Sequence, residues 1–132
     1  MSGSVGKASL VVGAEHLAPA MKTGVAKVLS TAIMAALMEE ASCNAIELSD
    51  LSKEKITVGV ALELKHKRPS AIGAHITAIS RLVDVQQNRL SFEIEAFDEA
   101  GLIGTATHQR AFVNQELFER KCYETARKAL NK

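Results

Sequence analysis

Two adjacent carboxylates, Glu39 and Glu40, follow directly on the apolar run from Ala32 to Met38. Neighbouring residues on a helix point about 100° apart, so only one of the pair can face a core well. Two readings stand. The pair is a solvated helix end, or one carboxylate lies at the rim of a pocket, where partial burial raises its pKa and suits it to general-base work. Thr31 stands eight positions earlier. Eight helical steps turn about 80° past two full turns and climb about 12 Å, so Thr31 and Glu39 share a side of the helix without touching. Thr31 is a helix cap or, if Ser30 makes the cap, a hydroxyl free to orient substrate or water. His66 keeps phase with Ile56, Val58, Val60, Leu62 and Leu64. It points to the buried side where that segment leaves the core, and a neutral imidazole there can give or take a proton.

Lys65, Lys67 and Arg68 surround His66. Three cations at a strand end guard a solvated edge against pairing, or meet the phosphates of an anionic ligand. Gly59 interrupts an otherwise well-formed strand, which indicates a bulge or a close approach to the backbone, and a free amide beside it could face an oxyanion. Gly104 invites the same two readings. His16, His75 and His108 show no metal-ligand spacing with one another or with Cys43 and Cys122, so no metal and no cofactor is expected. Cys43, within the apolar helical stretch, reads as a small core residue. Nucleophile-elbow, phosphate-loop and dinucleotide motifs are missing from the sequence.

These residues need a scaffold, and the 132 residues fit one domain, 1–132, with 47% hydrophobic residues to build its core. Sixteen Lys plus Arg oppose 15 Asp plus Glu, a balance that argues against a nucleic-acid partner. No apolar run approaches the roughly 20 residues of a membrane span, and the N-terminus lacks a long apolar core, so a cytoplasmic protein without a membrane partner is expected. Ala8 to Val12 reads as a first strand, followed by a connector from Leu17 to Gly24. Ser30 or Thr31 caps a helix running to about Ile46 or Leu48, apolar on every side and so predicted to be buried all round. Ile56 to His66 alternates as a strand with one face on the core. Ile72 to Val85 is a strand with a blurred pattern that indicates a bulge or burial on both faces. Leu90 to Phe97 alternates cleanly, Asp98 to Gly101 turns, and Leu102 to Val113 is the last strand. Asn114 caps a terminal helix to about Leu130. The order predicts an α+β fold: an antiparallel β-sheet wrapped around a long central α-helix, plus a C-terminal helix.

Three stretches resemble the hot-dog family of fluoroacetyl-CoA thioesterase-like proteins. Ser30 to Ala41 is similar to that family's central helix, with Thr near its start and Glu-Glu-Ala eight residues on. Val58-Gly59-Val60 followed by Leu64-Lys65-His66 matches a Val-Gly with a His seven residues later. Gly104 to Arg110 is similar to the Gly-x-x-Thr-His-x-Arg signature of the last strand. The resemblance, over roughly residues 8–120, implies a hot-dog fold and hydrolysis of a short or medium acyl-CoA to free acid and CoA. It implies a homodimer, or a tetramer, with sites at the subunit interface. It makes Thr31, Glu39 and His66 the catalytic set: Glu39 as base or nucleophile, His66 for the proton and leaving thiolate, and Thr31 for orientation. Gly59, Lys65, Lys67 and Arg68 would bind substrate, while His108 and Arg110 read as part of a shared fold signature. The alternative is a hot-dog module that binds acyl-CoA without turnover. Where the fluoroacetyl-specific members carry a lid aromatic six residues before the Thr, this chain has Val25, so fluoroacetyl specificity is not expected.

Overall fold

In the computed structural model, residues 3–47, 50–51 and 55–131 are described. The predicted helix end at Leu48 lies outside them. Five strands, β1 (Val5–Val11), β2 (Lys55–His66), β3 (His75–Gln86), β4 (Arg89–Asp98) and β5 (Gly101–Asn114), form one antiparallel sheet in the order β1-β3-β4-β5-β2. The sheet curls against α1 (Thr31–Ala45), and α2 (Gln115–Leu130) follows β5. This is the α+β arrangement the pattern predicts and the hot-dog fold the resemblance implies. β1 starts earlier than its apolar residues indicate because Gly6 lets it pass close to the helix: a Cβ at Gly6 would collide with the backbone of Ala41 and Ala45. β3 starts later than predicted because Gly73 turns the chain at φ 92°.

Helix α1 departs from its predicted environment. It buries one face, made of Met34, Leu37, Met38, Ala41, Ser42 and Ala45. That spacing is one stripe of a helix. Ala32, Ala36 and Cys43 are exposed, so Cys43 is not a core residue. Small alanines made the sequence look apolar all round, but the sheet reaches only one side. The core joins Met34 and Met38 to Ile76, Leu82, Leu90, Phe92, Ile94 and Ile103 from three strands. Each such burial contributes about 1.5–3 kcal/mol. Within this apolar layer the hydroxyls of Ser42 and Ser80 bond at 2.8 Å, which satisfies two buried polar groups.

The blurred strand carries a bulge at Val83, between Leu82 and Asp84. A second bulge overturns the unbroken alternation read along Ile56 to His66. In β2, Gly59 opposes Arg110 and Ala61 opposes Gln109, so Val60 is the extra residue. Beyond it Leu62, Leu64 and His66 keep the helix side. Before it the phase inverts, so Thr57 and Gly59 take the helix side rather than Val58 and Val60. Strand β2 is also the last in the sheet order, and Val60 is 45% exposed. Helix α2 buries none of its residues and touches the rest of the chain mainly through β5. No described helix is long and apolar enough to cross a membrane.

Candidate active site

The start of α1 is pinned from three directions. Leu29 is buried and its N–H donates to the Ser70 carbonyl at 2.8 Å; the Ser30 N–H donates to the His16 carbonyl at 2.9 Å. Ser30 Oγ accepts from the Ile33 N–H at 3.2 Å and makes the cap. The Thr31 hydroxyl is thereby released from capping. It hydrogen-bonds His66 Nδ1 at 2.8 Å, joining two residues 35 positions apart. The strand register sets His66 opposite Gly104, where a side chain would press on Met34 Sδ at 2.6 Å, so the glycine makes room for the helix beside the histidine. The other ring nitrogen of His66, Nε2, is buried and has no hydrogen-bond partner among the described residues. Burial lowers the His66 pKa below its usual 6.5, against the weaker opposing pull of the nearby Arg68 backbone, so the ring is neutral at neutral pH. A neutral imidazole in this position can give or take a proton.

Glu39 occupies a separate place. Its half-exposed carboxylate lies 3.5 Å from Arg110 Nη1 and 4.0 Å from His108 Nε2. A Cβ added at Gly59 would stand 2.8 Å from Glu39 Oε1, so the glycine admits the carboxylate to the edge strand. Gly59 therefore combines the two readings its sequence allowed, with a bulge beside it and a close approach that here comes from Glu39. Within one chain the structure brings Thr31 to His66 and Glu39 to Gly59.

The cations are divided as well. Lys65 lies on the sheet face away from α1, in a depression shared with Glu63, Arg81, Glu93 and Glu95, and Lys67 is exposed. Arg68 is engaged: its Nη2 bonds Asp98 Oδ1 at 2.6 Å and the Gly101 carbonyl at 3.2 Å. Burial pushes the Asp98 carboxyl up, but hydrogen bonds from Arg68, Ser70 and the Ala100 N–H outweigh it and hold the pKa below the usual value. Among the described residues no three His, Cys, Asp or Glu side chains are grouped to hold a metal ion.

His108 and Arg110, taken from the sequence as fold signature, lie buried directly beneath Glu39. Thr57, not singled out from the sequence, receives Arg110 Nε on its hydroxyl at 3.0 Å and Nη2 on its carbonyl at 3.1 Å. A usable signal was present: Ala106, His108 and Arg110 alternate in phase, so two polar residues fall on the buried face of β5.

Comparison with known proteins agrees with this architecture. A family model described as fluoroacetyl-CoA-specific thioesterase matches residues 12–116. The fluoroacetyl-CoA thioesterase of Streptantibioticus cattleyicolor is 32% identical over 95 residues, covering 72% of this chain and 68% of that protein. Among solved structures, a thioesterase superfamily member from Thermus thermophilus shares the fold with a TM-score of 0.91 at 22% identity, over 100% of this chain and 97% of that one. A mutant of the fluoroacetyl-CoA-specific thioesterase, in complex with fluoroacetate and CoA, aligns with a TM-score of 0.80 at 26% identity, over 89% and 98%. With the match spanning most of the sheet and all of α1, the chain belongs to the fluoroacetyl-CoA-specific thioesterase family of hot-dog thioester hydrolases.

Proposed function

We infer that the protein hydrolyses a short or medium acyl-CoA to the free acid and CoA, as a homodimer whose sites combine Thr31, Glu39 and His66. The observation that carries this reading is the Thr31–His66 bond at 2.8 Å, with His66 Nε2 buried and without a hydrogen-bond partner among the described residues. Glu39 as base would take a proton from water as the oxygen attacks the thioester carbon. As nucleophile it would first form an anhydride that water then opens. On either route the C–S bond breaks, and His66 manages the proton that the departing thiolate needs. The Gly59 amide is suited to the developing oxyanion. Lys65 and Lys67 are candidates for the CoA phosphates; the Arg68 guanidinium is tied to Asp98.

Two features support a second copy. Gly59 and His66 stand seven residues apart on the edge strand, six ladder steps once the bulged Val60 is discounted, or about 20 Å at strand rise. Antiparallel pairing of β2 with the β2 of another copy lays the Gly59 end of each chain beside the His66 end of the other. The edge is suited to it: Val60 is exposed, and α2 departs from Asn114, which pairs with Lys55 at the start of β2. Val25, 94% exposed, offers no ring to cover a small acyl group, which supports a general acyl preference over a fluoroacetyl one.

The test is release of free thiol from a panel of acyl-CoAs. Turnover of at least one short or medium thioester is expected, with most activity lost in Glu39→Gln while the oligomer is retained. Saturable binding without thiol release would replace the enzyme reading with a binding module. Full activity of Glu39→Gln would remove Glu39 from the mechanism.

A further inference from the structure

Beneath Glu39 lies a polar group whose hydrogens can be assigned from its partners. His108 Nδ1 is 2.8 Å from the Ala61 carbonyl, which can only accept, so Nδ1 carries the proton. His108 Nε2 is 3.2 Å from Arg110 Nη1, which can only donate, so Nε2 offers its lone pair and the ring is neutral. Burial, reinforced by the Arg110 charge, lowers the His108 pKa against the Ala61 hydrogen bond and the Glu39 charge, in the same direction. Arg110 is held at three further points: Nε on the Thr57 hydroxyl, Nη2 on the Thr57 carbonyl and Nη1 near Glu39. Its side chain is 9% exposed, and Glu39 is its ion-pair partner among the described residues.

The bulge at Val60 makes this arrangement. An unbroken strand would turn Val58 and Val60 toward Arg110, and two apolar side chains would leave its donors unpaired. With the extra residue, Thr57 supplies an acceptor and Gly59 supplies space. We propose that Thr57, His108 and Arg110 are positioning residues that fix the Glu39 carboxylate toward Gly59, with neutral His108 serving to aim the Arg110 guanidinium rather than to transfer a proton. A strongly held arginine makes one direction of approach available to Glu39 and leaves the other carboxylate oxygen for water or substrate. The inference rests on Glu39 acting in thioester hydrolysis.

The experiment compares Thr57→Val, Thr57→Ser and Arg110→Lys with the parent chain, after Glu39→Gln has established that Glu39 is needed. Thr57→Val keeps the shape of the side chain and removes the acceptor of Nε. It should lower kcat about tenfold with little change in KM, the scale of one hydrogen bond to a charged group. Thr57→Ser should restore most of that loss. Arg110→Lys keeps the charge but lacks the fork that spans Thr57 and Glu39, so its kcat should fall at least as far. In the parent, 15N NMR of the imidazoles should show His108 neutral and protonated on Nδ1. If Glu39→Gln is inactive while Thr57→Val and Arg110→Lys keep parental kcat, the positioning role is wrong and the Glu39 reading survives. A protonated His108, or a neutral ring protonated on Nε2, would overturn the aiming role. If one of these variants fails to fold, the kcat of the other and the NMR signature still decide the matter.

Discussion

Thr31, Glu39 and His66 are ordinary polar residues until their neighbours limit what they can do. Ser30 takes the cap, so the Thr31 hydroxyl is available to His66. The lowered pKa of His66 and His108 has a consequence for stability. Each is held below 6.5 by burial, while the unfolded chain protonates near that value. The unfolded state therefore binds more protons between the folded pKa and 6.5, and stability rises with pH across that window. The contribution is fully present above about pH 6.5 and is lost as pH falls through the folded values. Thermal melts between about pH 8 and pH 5 should show Tm constant at first and then declining below about pH 6.5. A Tm unchanged throughout would contradict two buried neutral imidazoles. Asp98, also lowered, acts in a separate and more acidic window, below its ordinary 3.8.

At the scale of elements, the helix and sheet are held at a fixed distance by missing side chains as much as by present ones. Gly6 lets β1 lie against the backbone of α1, and Gly104 gives way to Met34. Backbone cannot yield as a flexible side chain can. Gly6→Ala should therefore destabilise the fold by about 3 kcal/mol, the upper range for overpacking. Urea unfolding would register this as a lower midpoint at unchanged slope. A midpoint equal to that of the parent would mean that β1 and α1 separate freely. The β2 bulge is the other element-scale device. It lets one strand present Thr57 and Gly59 to Arg110 and Glu39, then Leu62, Leu64 and His66 to the core and the helix start.

At the scale of the whole molecule, one chain holds the Thr31–His66 pair and the Glu39 group at separate places along α1, about 12 Å apart in helix rise. If sites form across two copies, Glu39→Gln and His66→Ala variants should complement each other. Mixed and re-equilibrated, half of the dimers carry both variants, and each of those has one site with both residues intact. About a quarter of parental activity should return, although each variant alone is inactive. No recovery in dimers shown to have exchanged would place all three residues of each site in one chain.

Most of the scaffold follows from local pattern. Alternation, turn residues and caps specify the five strands, the helices and their order, because side-chain direction repeats at a period fixed by backbone geometry. The motifs around Thr31, Glu39 and His66 also stood out in the sequence, since polar groups in phase with a buried face are conspicuous. The remainder depends on contacts between segments distant in the chain. Periodicity cannot report how far a sheet reaches around a helix, so α1 read as buried all round when one face is. It cannot locate an inserted residue inside a run of valines, so the phase change at Val60 was hidden, and with it the place of Thr57. Nor does spacing tell a hydrogen bond across 35 residues from two unrelated side chains; the meeting of Thr31 and His66 depends on register between β2 and β5 and on the anchoring of the helix start. Residue types and their spacing supply the chemistry on hand, and long-range packing selects which of those groups stand together.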